Sequence, residues 1–273
     1  MKIMSLNVNR FSGMKDRDFT NSIENLDECP KANEIITFVK RFLSENPDDV
    51  VFLYEVPYWR GSGWGKNFKW VEKRGLYEKF RKQFPEGQFE LSEPGREGDS
   101  CTLAIWKKKW ETRSDFKMTE EKKPPYANKY VELIRKDPEF RLIGLHAPGE
   151  YQFLSSLQEY AATKENFILI GDFNIATNEW RTEKIKKDVE EGRKSKAYLD
   201  DFLARQKWLI EIMPAIGYHD AIKGDPITYF KAETTADHVL VSPALQGKVT
   251  AEVIPQKELE LSDHAVIIVD VNL

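Results

Sequence analysis

Ser262-Asp263-His264 stands immediately before the apolar run Ala265-Val266-Ile267-Ile268-Val269, and Gly171-Asp172-Phe173-Asn174 follows the apolar run Phe167-Ile168-Leu169-Ile170. Both place an acidic residue at the edge of a buried-strand pattern, with a second polar group one or two positions on. Strand ends are rigid, so side chains there can be held in fixed geometry. Carboxylates, an amide and an imidazole gathered at such ends suit a hard divalent cation and a phosphate. Asn7, Glu55, His146 and Asp237 also fall at the ends of strand-like runs.

Those residues need a framework, and the apolar pattern predicts one. Residues 2–9 alternate polar and apolar like a strand. Between Pro30 and Pro47, Ile35, Ile36, Val39, Phe42 and Leu43 recur at helical spacing. Val50-Val51-Phe52-Leu53-Tyr54 is a short buried-strand run ending at Glu55. Helices are expected over 76–84 and 151–163, and mainly helix over 179–213 with a break at Gly192. Strands are expected over 102–106, near 112–118, and over 130–134, 141–145, 167–170, 227–230, 238–241, 249–254 and 265–271. Residues 10–30 and 57–70 read as irregular loops, and Lys107-Lys108-Lys109 as a solvated hairpin tip. Short runs buried on both faces, interleaved with helices, predict an α/β (α+β) architecture of two packed sheets with helices outside, in one domain over 1–273. The hairpin-like spacing between 100 and 145 argues against a purely parallel, doubly wound sheet.

Composition narrows the function. With 41% hydrophobic and 32% charged residues, the chain has an ordinary soluble globular balance. A net charge of -4 creates no overall field for nucleic acid, so a polynucleotide substrate needs a local basic patch. Cys29 and Cys101 have no metal-ligand spacing and form no disulfide framework. No apolar stretch reaches transmembrane length, and the start is too short and polar for a signal-peptide core. The expectation is a cytoplasmic monomer without membrane insertion, its fold beginning at residue 1.

Taken in order, the six polar strand ends resemble the endonuclease/exonuclease/phosphatase superfamily, which has the DNase I-like fold. The resemblance spans residues 5–264, and the ordered set is far more specific than any one motif. It implies a four-layered sandwich of two mixed β-sheets with helices on the outer faces, and Mg²⁺-dependent hydrolysis of phosphate esters, with Mn²⁺ as a substitute ion. Asn7 matches the first-strand metal-site Asn, Glu55 the principal metal-binding Glu, and Asp263 with His264 the terminal Ser-Asp-His. Asp172 and Asn174 match Gly-Asp-x-Asn, and Asp237 the Asp supporting the last His. His146 matches the His of the DNase and sphingomyelinase branches, and Tyr54 stands where Gln is common. The implied metal set is therefore Asn7, Glu55 and Asp263. The implied catalytic set is His146, Asp172, Asn174, Asp237 and His264.

The residue types make chemical sense in those roles. Mg²⁺ takes one or two carboxylates plus a substrate phosphate. Asp172 can take a proton from the attacking water or orient it. Asn174, His146 and His264 can donate to phosphoryl oxygens, and Asp237 can fix the His264 tautomer. Asp99 is the expected orienting partner of His146. Each residue alone has an ordinary explanation as a turn residue, a solvated acid or a core histidine. His238 is expected to pack behind the site, and His219 to be structural.

The substrate stays open. The leading expectation is a nuclease acting on DNA or RNA. The alternative is a phosphatase or phosphodiesterase for a small phosphorylated molecule or lipid headgroup. A catalytically dead binding module is disfavoured, because every position of the set keeps a competent residue. Trp59, Arg60, Trp64, Lys66, Lys69, Trp70, Lys73 and Arg74 interleave bases with aromatics, a pattern that can stack on nucleobases, although a loop packed on the body accounts for it slightly better. The mixed charges of 181–207 read as a solvated face.

Overall fold

The computed structural model describes residues 1–14, 26–57, 59–62, 69–72, 79–92, 100–113, 115–116 and 129–273. Its strands are β1 (Lys2–Asn7), β2 (Val50–Pro57), β3 (Trp59–Ser62), β4 (Lys69–Glu72), β5 (Gln88–Leu91), β6 (Ser100–Trp106), β7 (Glu111–Arg113), β8 (Tyr130–Lys136), β9 (Glu139–His146), β10 (Phe167–Asp172), β11 (His219–Asp220), β12 (Asp237–Val241), β13 (Val249–Ile254) and β14 (Val266–Val271). The long helices are α1 (Ala32–Glu45), α2 (Tyr151–Ala161), α3 (Glu179–Glu190) and α4 (Lys196–Lys207).

Two mixed six-stranded sheets form the centre, in the orders β13-β14-β1-β2-β6-β5 and β11-β12-β10-β9-β8-β7. Each contains one parallel pair, β1 with β2 and β9 with β10, among antiparallel neighbours. Parallel pairing brings two carboxyl ends to the same edge of a sheet. The antiparallel neighbours β14 and β12 bring their amino ends to that edge. The geometry thus gathers every polar strand end singled out above.

Between the sheets, Phe52 and Tyr54 of β2 meet Ile168 and Ile170 of β10 and Val239 of β12 in one buried cluster. This explains why Phe167-Ile168-Leu169-Ile170 is apolar throughout, since both faces of β10 are covered. On one outer face, α1 buries Ile35, Ile36, Val39 and Leu43 against Val51, Leu53, Leu103 and Ile105. On the other, Phe153, Leu154 and Leu157 of α2 pack with Trp208 on Ile143, Leu145 and Leu169. The result is the expected four-layered sandwich.

Several local expectations change. Part of the 57–70 loop is a two-stranded ribbon, β3 against β4. Residues 227–230 form no strand; Tyr229 makes only isolated bridges, to Thr234 and His264. There the Thr228 hydroxyl accepts from the Ala236 and Asp237 amides, pinning a loop instead of extending a ladder. The Lys107–Lys109 bend is not a hairpin tip. It carries the chain from one sheet to the other, and Lys109 pairs with Asp48 at 2.6 Å. Of the strand expected near 112–118, the described residues show β7, and the described part of the 76–84 helix is 79–81. Asp99 and the side chains of 58–78 lie outside the described residues.

Candidate active site

Local strand geometry places the central residues. Asp172 ends β10, paired in register with His146 of β9 on one side and Asp237 of β12 on the other. Two carboxylates and an imidazole therefore stand abreast at one sheet edge. Gly171 makes this possible. It has φ +143°, and a Cβ there would lie 1.9 Å from the Leu145 carbonyl oxygen and 2.9 Å from the Tyr54 hydroxyl. Tyr54 crosses from the other sheet, donating to the Ile170 carbonyl at 3.0 Å and accepting from Ser5 Oγ at 3.2 Å. Tyr54 thus acts as a strut between sheets.

After Asp172 the chain turns sharply. Phe173 is buried in the outer core, and Asn174 adopts φ +53°. The Asn174 amide N–H donates to Asp172 Oδ1 at 2.8 Å, and its Nδ2 donates to the Ala147 carbonyl at 2.9 Å. The Gly-Asp-Phe-Asn motif thus combines a close approach, a reactive carboxylate, a core anchor and a left-handed turn.

Glu55 sits where β2 breaks register between Leu53 and Val56, with φ +55°. Such a bulge re-aims a side chain at the cost of local strain. Its Oε1 lies 3.3 Å from Asn7 Nδ2 and 3.7 Å from His146 Nε2. Asn7 Nδ2 also donates to Asp172 Oδ2 at 3.1 Å, while its Oδ1 accepts the Asn9 amide at 3.0 Å. A backbone N–H can only donate, so that bond sets the amide orientation. Asn7 stitches the carboxylate of one sheet to that of the other.

His264 Nδ1 donates to Asp237 Oδ2 at 2.9 Å, and Nε2 lies 3.8 Å from Asp172 Oδ2. The Tyr229 ring stacks on the imidazole at 4.6 Å between centroids and 23° between planes. Burial opposes charge on His264, but the Asp237 carboxylate and its hydrogen bond outweigh it and raise the group to about 10. His264 is therefore an imidazolium at neutral pH. Burial lowers His146 in spite of Asp172 and Glu55 nearby. Burial raises Asp172 above the usual aspartate value. Burial also works against the charge of Glu55, but His146, His264 and Arg10 prevail and hold it below the ordinary range.

Asn7, Glu55, His146, Asp172, Asn174, Asp237 and His264 are thus joined by short contacts. Asp263 lines the same cavity, but its Oδ2 is held by Lys231 at 3.1 Å. The cavity has a volume of about 760 Å³, with Glu55, His146, Asp172, Asn174, Asp263 and His264 among its walls. Lys129, Tyr229, Lys231 and Arg205 line it as well. Sequence reasoning missed them, because each is a single residue in a loop or helix with no motif around it. His238 does pack behind the site. Its Nδ1 bonds Asp220 Oδ2 at 2.7 Å and its Nε2 the Ile175 carbonyl at 3.3 Å. His219 lies in β11 and is not among the cavity walls.

By type, the carboxylate oxygens of Glu55, Asp172 and Asp263 suit a hard divalent cation, whereas Asn7, expected among the metal residues, turns its amide nitrogen to Glu55 and Asp172 and its oxygen to the Asn9 amide. Asp172, Asp237 and His264 also offer ligand atoms within 4.8 Å of one another. In that trio the His264 ring is already bonded to Asp237 and carries the extra proton, so it serves better as a hydrogen-bonded donor than as a ligand.

Neither protein-family models nor curated proteins yield a match to this sequence. Solved structures do. An AP endonuclease from Archaeoglobus fulgidus aligns over 100% of both chains at 14% identity and a TM-score of 0.60. The 3′ phosphatase NExo from Neisseria, bound to a product DNA hairpin, aligns over 100% of both at 17% identity and 0.59. TDP2 from D. rerio, complexed with a single-strand DNA product, aligns over 100% of this chain and 99% of the other at 15% identity and 0.53. At these identities the likeness establishes the fold. The chain has the DNase I-like fold. Among the described residues, no helix is long and apolar enough to cross a membrane.

Proposed function

We propose that this chain is a metal-dependent phosphodiesterase that cleaves nucleic acid. The observation that carries the reading is Asp172, raised by burial and set between the imidazoles of His146 and His264, with Asp237 holding His264 charged. That arrangement puts a proton acceptor beside fixed donors at the floor of an open cavity.

In this reading Asp172 orients the attacking water and takes its proton. His264 donates to a phosphoryl oxygen as charge shifts in the transition state, and His146 donates from the opposite side. Asn174 adds a side-chain amide. Glu55 and Asp263 would hold Mg²⁺, with Asn7 securing Glu55. When bound, the ion supplies charge compensation to the phosphoryl and leaving oxygens.

The neighbours bound to DNA products support a polynucleotide substrate over a small ester. The test is turnover with Mg²⁺ against EDTA on plasmid DNA, single-stranded DNA, RNA, phosphoinositides and a chromogenic phosphodiester. Mg²⁺-dependent cleavage of a polynucleotide is expected. Turnover confined to phosphoinositides, or undiminished by EDTA, would overturn the reading.

A further inference from the structure

The cavity is larger than the reaction needs. At about 760 Å³ it falls in the range of sites for drug-sized molecules, roughly 300–1,000 Å³, whereas the catalytic residues contact only a phosphate. Loops supply part of the remaining wall, and α3 and α4 supply one side of it. Tyr198, Phe202 and Arg205 line the cavity from α4, and Arg181 and Ile185 from α3. Both sets repeat at three- or four-residue spacing, so each is one helix face. Along α4 the stripe extends about 10 Å from Arg205 to Tyr198, at about 1.5 Å per residue.

This wall is fixed to the catalytic turn. Arg205 Nη1 donates to the Asn174 carbonyl at 2.6 Å while its Nε holds Asp201 at 2.9 Å. Gln206 Nε2 donates to the Ala176 carbonyl at 2.6 Å and to Thr182 Oγ1 at 3.0 Å, which ties α4 to α3. The stripe therefore starts at the reactive carboxylate and leads outward. Its composition is unusual for a solvated face. Ile185 and Phe202 are buried, yet Tyr198 is 38% exposed. Lys194 Nζ lies 3.6 Å from the Tyr198 ring centre. Arg181 is half-buried and pairs with no carboxylate among the described residues.

We propose that the α3–α4 wall is a nucleotide subsite. Tyr198 receives the base of the nucleotide beside the scissile phosphate, with the buried Phe202 and Ile185 backing the wall behind it, and Arg181 binds the next phosphate. The proposal rests on the phosphodiesterase reading for its placement beside the reacting group. An aromatic ring stacks on any base, and a guanidinium that lies over the Trp180 ring but pairs with no carboxylate among the described residues suits a phosphate, so the subsite selects a polynucleotide without selecting its sequence.

The test uses the full chain with Tyr198→Ala and Arg181→Gln. Affinity for a fluorescein-labelled single-stranded hexanucleotide is read by anisotropy in EDTA, and turnover of methyl p-nitrophenyl phosphate is read with Mg²⁺. Tyr198→Ala should weaken hexanucleotide binding about five- to a hundredfold. Arg181→Gln should weaken it and reduce the slope of log affinity against log salt by about 0.7. Both should leave kcat/KM for the methyl ester within about twofold. Unchanged hexanucleotide affinity in both variants, or equal loss on both probes, would overturn the subsite. Wild-type turnover of the methyl ester without hexanucleotide binding sinks the subsite alone. Binding that depends on Tyr198 and Arg181, in a protein that hydrolyses no phosphate ester, sinks the phosphodiesterase reading alone.

Discussion

Gly171→Ala tests whether the close approach of β9, β10 and Tyr54 builds the site. The backbone there has φ +143°, a conformation that costs an alanine about 1–3 kcal/mol. The added Cβ would stand 1.9 Å from the Leu145 carbonyl oxygen, where ordinary contact begins near 3.4 Å. Strand backbone cannot swing aside as a lysine tip can, so β9 and β10 must separate by more than an ångström. Gly171 faces Leu145, and the next pair along is Asp172 with His146. The strain and the overpacking together should cost about 4 kcal/mol, at the upper end of single-residue effects. Two other glycines separate these terms. Gly192 has φ +73° with nothing within 4 Å, so Gly192→Ala should cost only about 1 kcal/mol. A Cβ at Gly144 would meet the Phe52 ring at 2.0 Å without a positive φ, so Gly144→Ala should cost about 1–3 kcal/mol. Urea unfolding of the three variants gives the order directly. Turnover should fall about a hundredfold in Gly171→Ala, because misplacing a reacting group by about 1 Å is enough. A Gly171→Ala protein as stable as Gly192→Ala, with wild-type turnover, would refute the reasoning.

Glu55→Gln should abolish Mg²⁺ binding in isothermal titration calorimetry and Mg²⁺-dependent turnover while the protein stays folded; wild-type Mg²⁺ affinity in this variant would remove Glu55 from the metal site. Asp237→Asn should bring the His264 titration from about 10 to below neutrality, read by histidine-resolved NMR, and the same titration in both proteins would break the pairing. The sign for stability follows from the raised value. The contribution of charged His264 is fully present below the ordinary 6.5 and is lost as pH rises through about 10, so the wild type should lose stability between those limits and Asp237→Asn should not.

The site was legible because its residues adjoin apolar runs that can only be buried strands. Asp172 follows four apolar residues of β10, and Asp263-His264 precedes those of β14. Order along the chain then served in place of distance. What escaped depends on contacts no local pattern encodes. β3 and β4 lie in a stretch of Gly, Trp and Lys without alternation, and β11 is only two residues long. Residues 227–230 carry β-forming types, yet Ile227 is exposed and the Thr228 side chain takes up amides that a ladder would use. The cavity wall of α3 and α4 was hidden by its charges. The residues lining the cavity, Arg181, Ile185, Tyr198 and Phe202, are interleaved with Glu and Lys that face water.

Backbone strain at Glu55 gives an independent test of its role. A central strand gains nothing from a glutamate at φ +55°, whereas Asn9 and Asn174, at +42° and +53°, are residues that tolerate this region. All three line the cavity. Glu55 is thus the position where the sequence accepts a local cost to direct a carboxylate inward. Glu55→Asn and Glu55→Gln remove the same charge, so their loss of contacts with His146, His264 and Arg10 is common to both. They differ in the backbone, because asparagine is several-fold enriched in the left-handed region, a preference worth about 0.5–1 kcal/mol. Glu55→Asn should therefore be the more stable of the pair by that amount in urea unfolding, with both inactive. Equal stability, or a more stable glutamine variant, would show that the bulge in β2 holds Glu55 without strain and that its conformation says nothing about function.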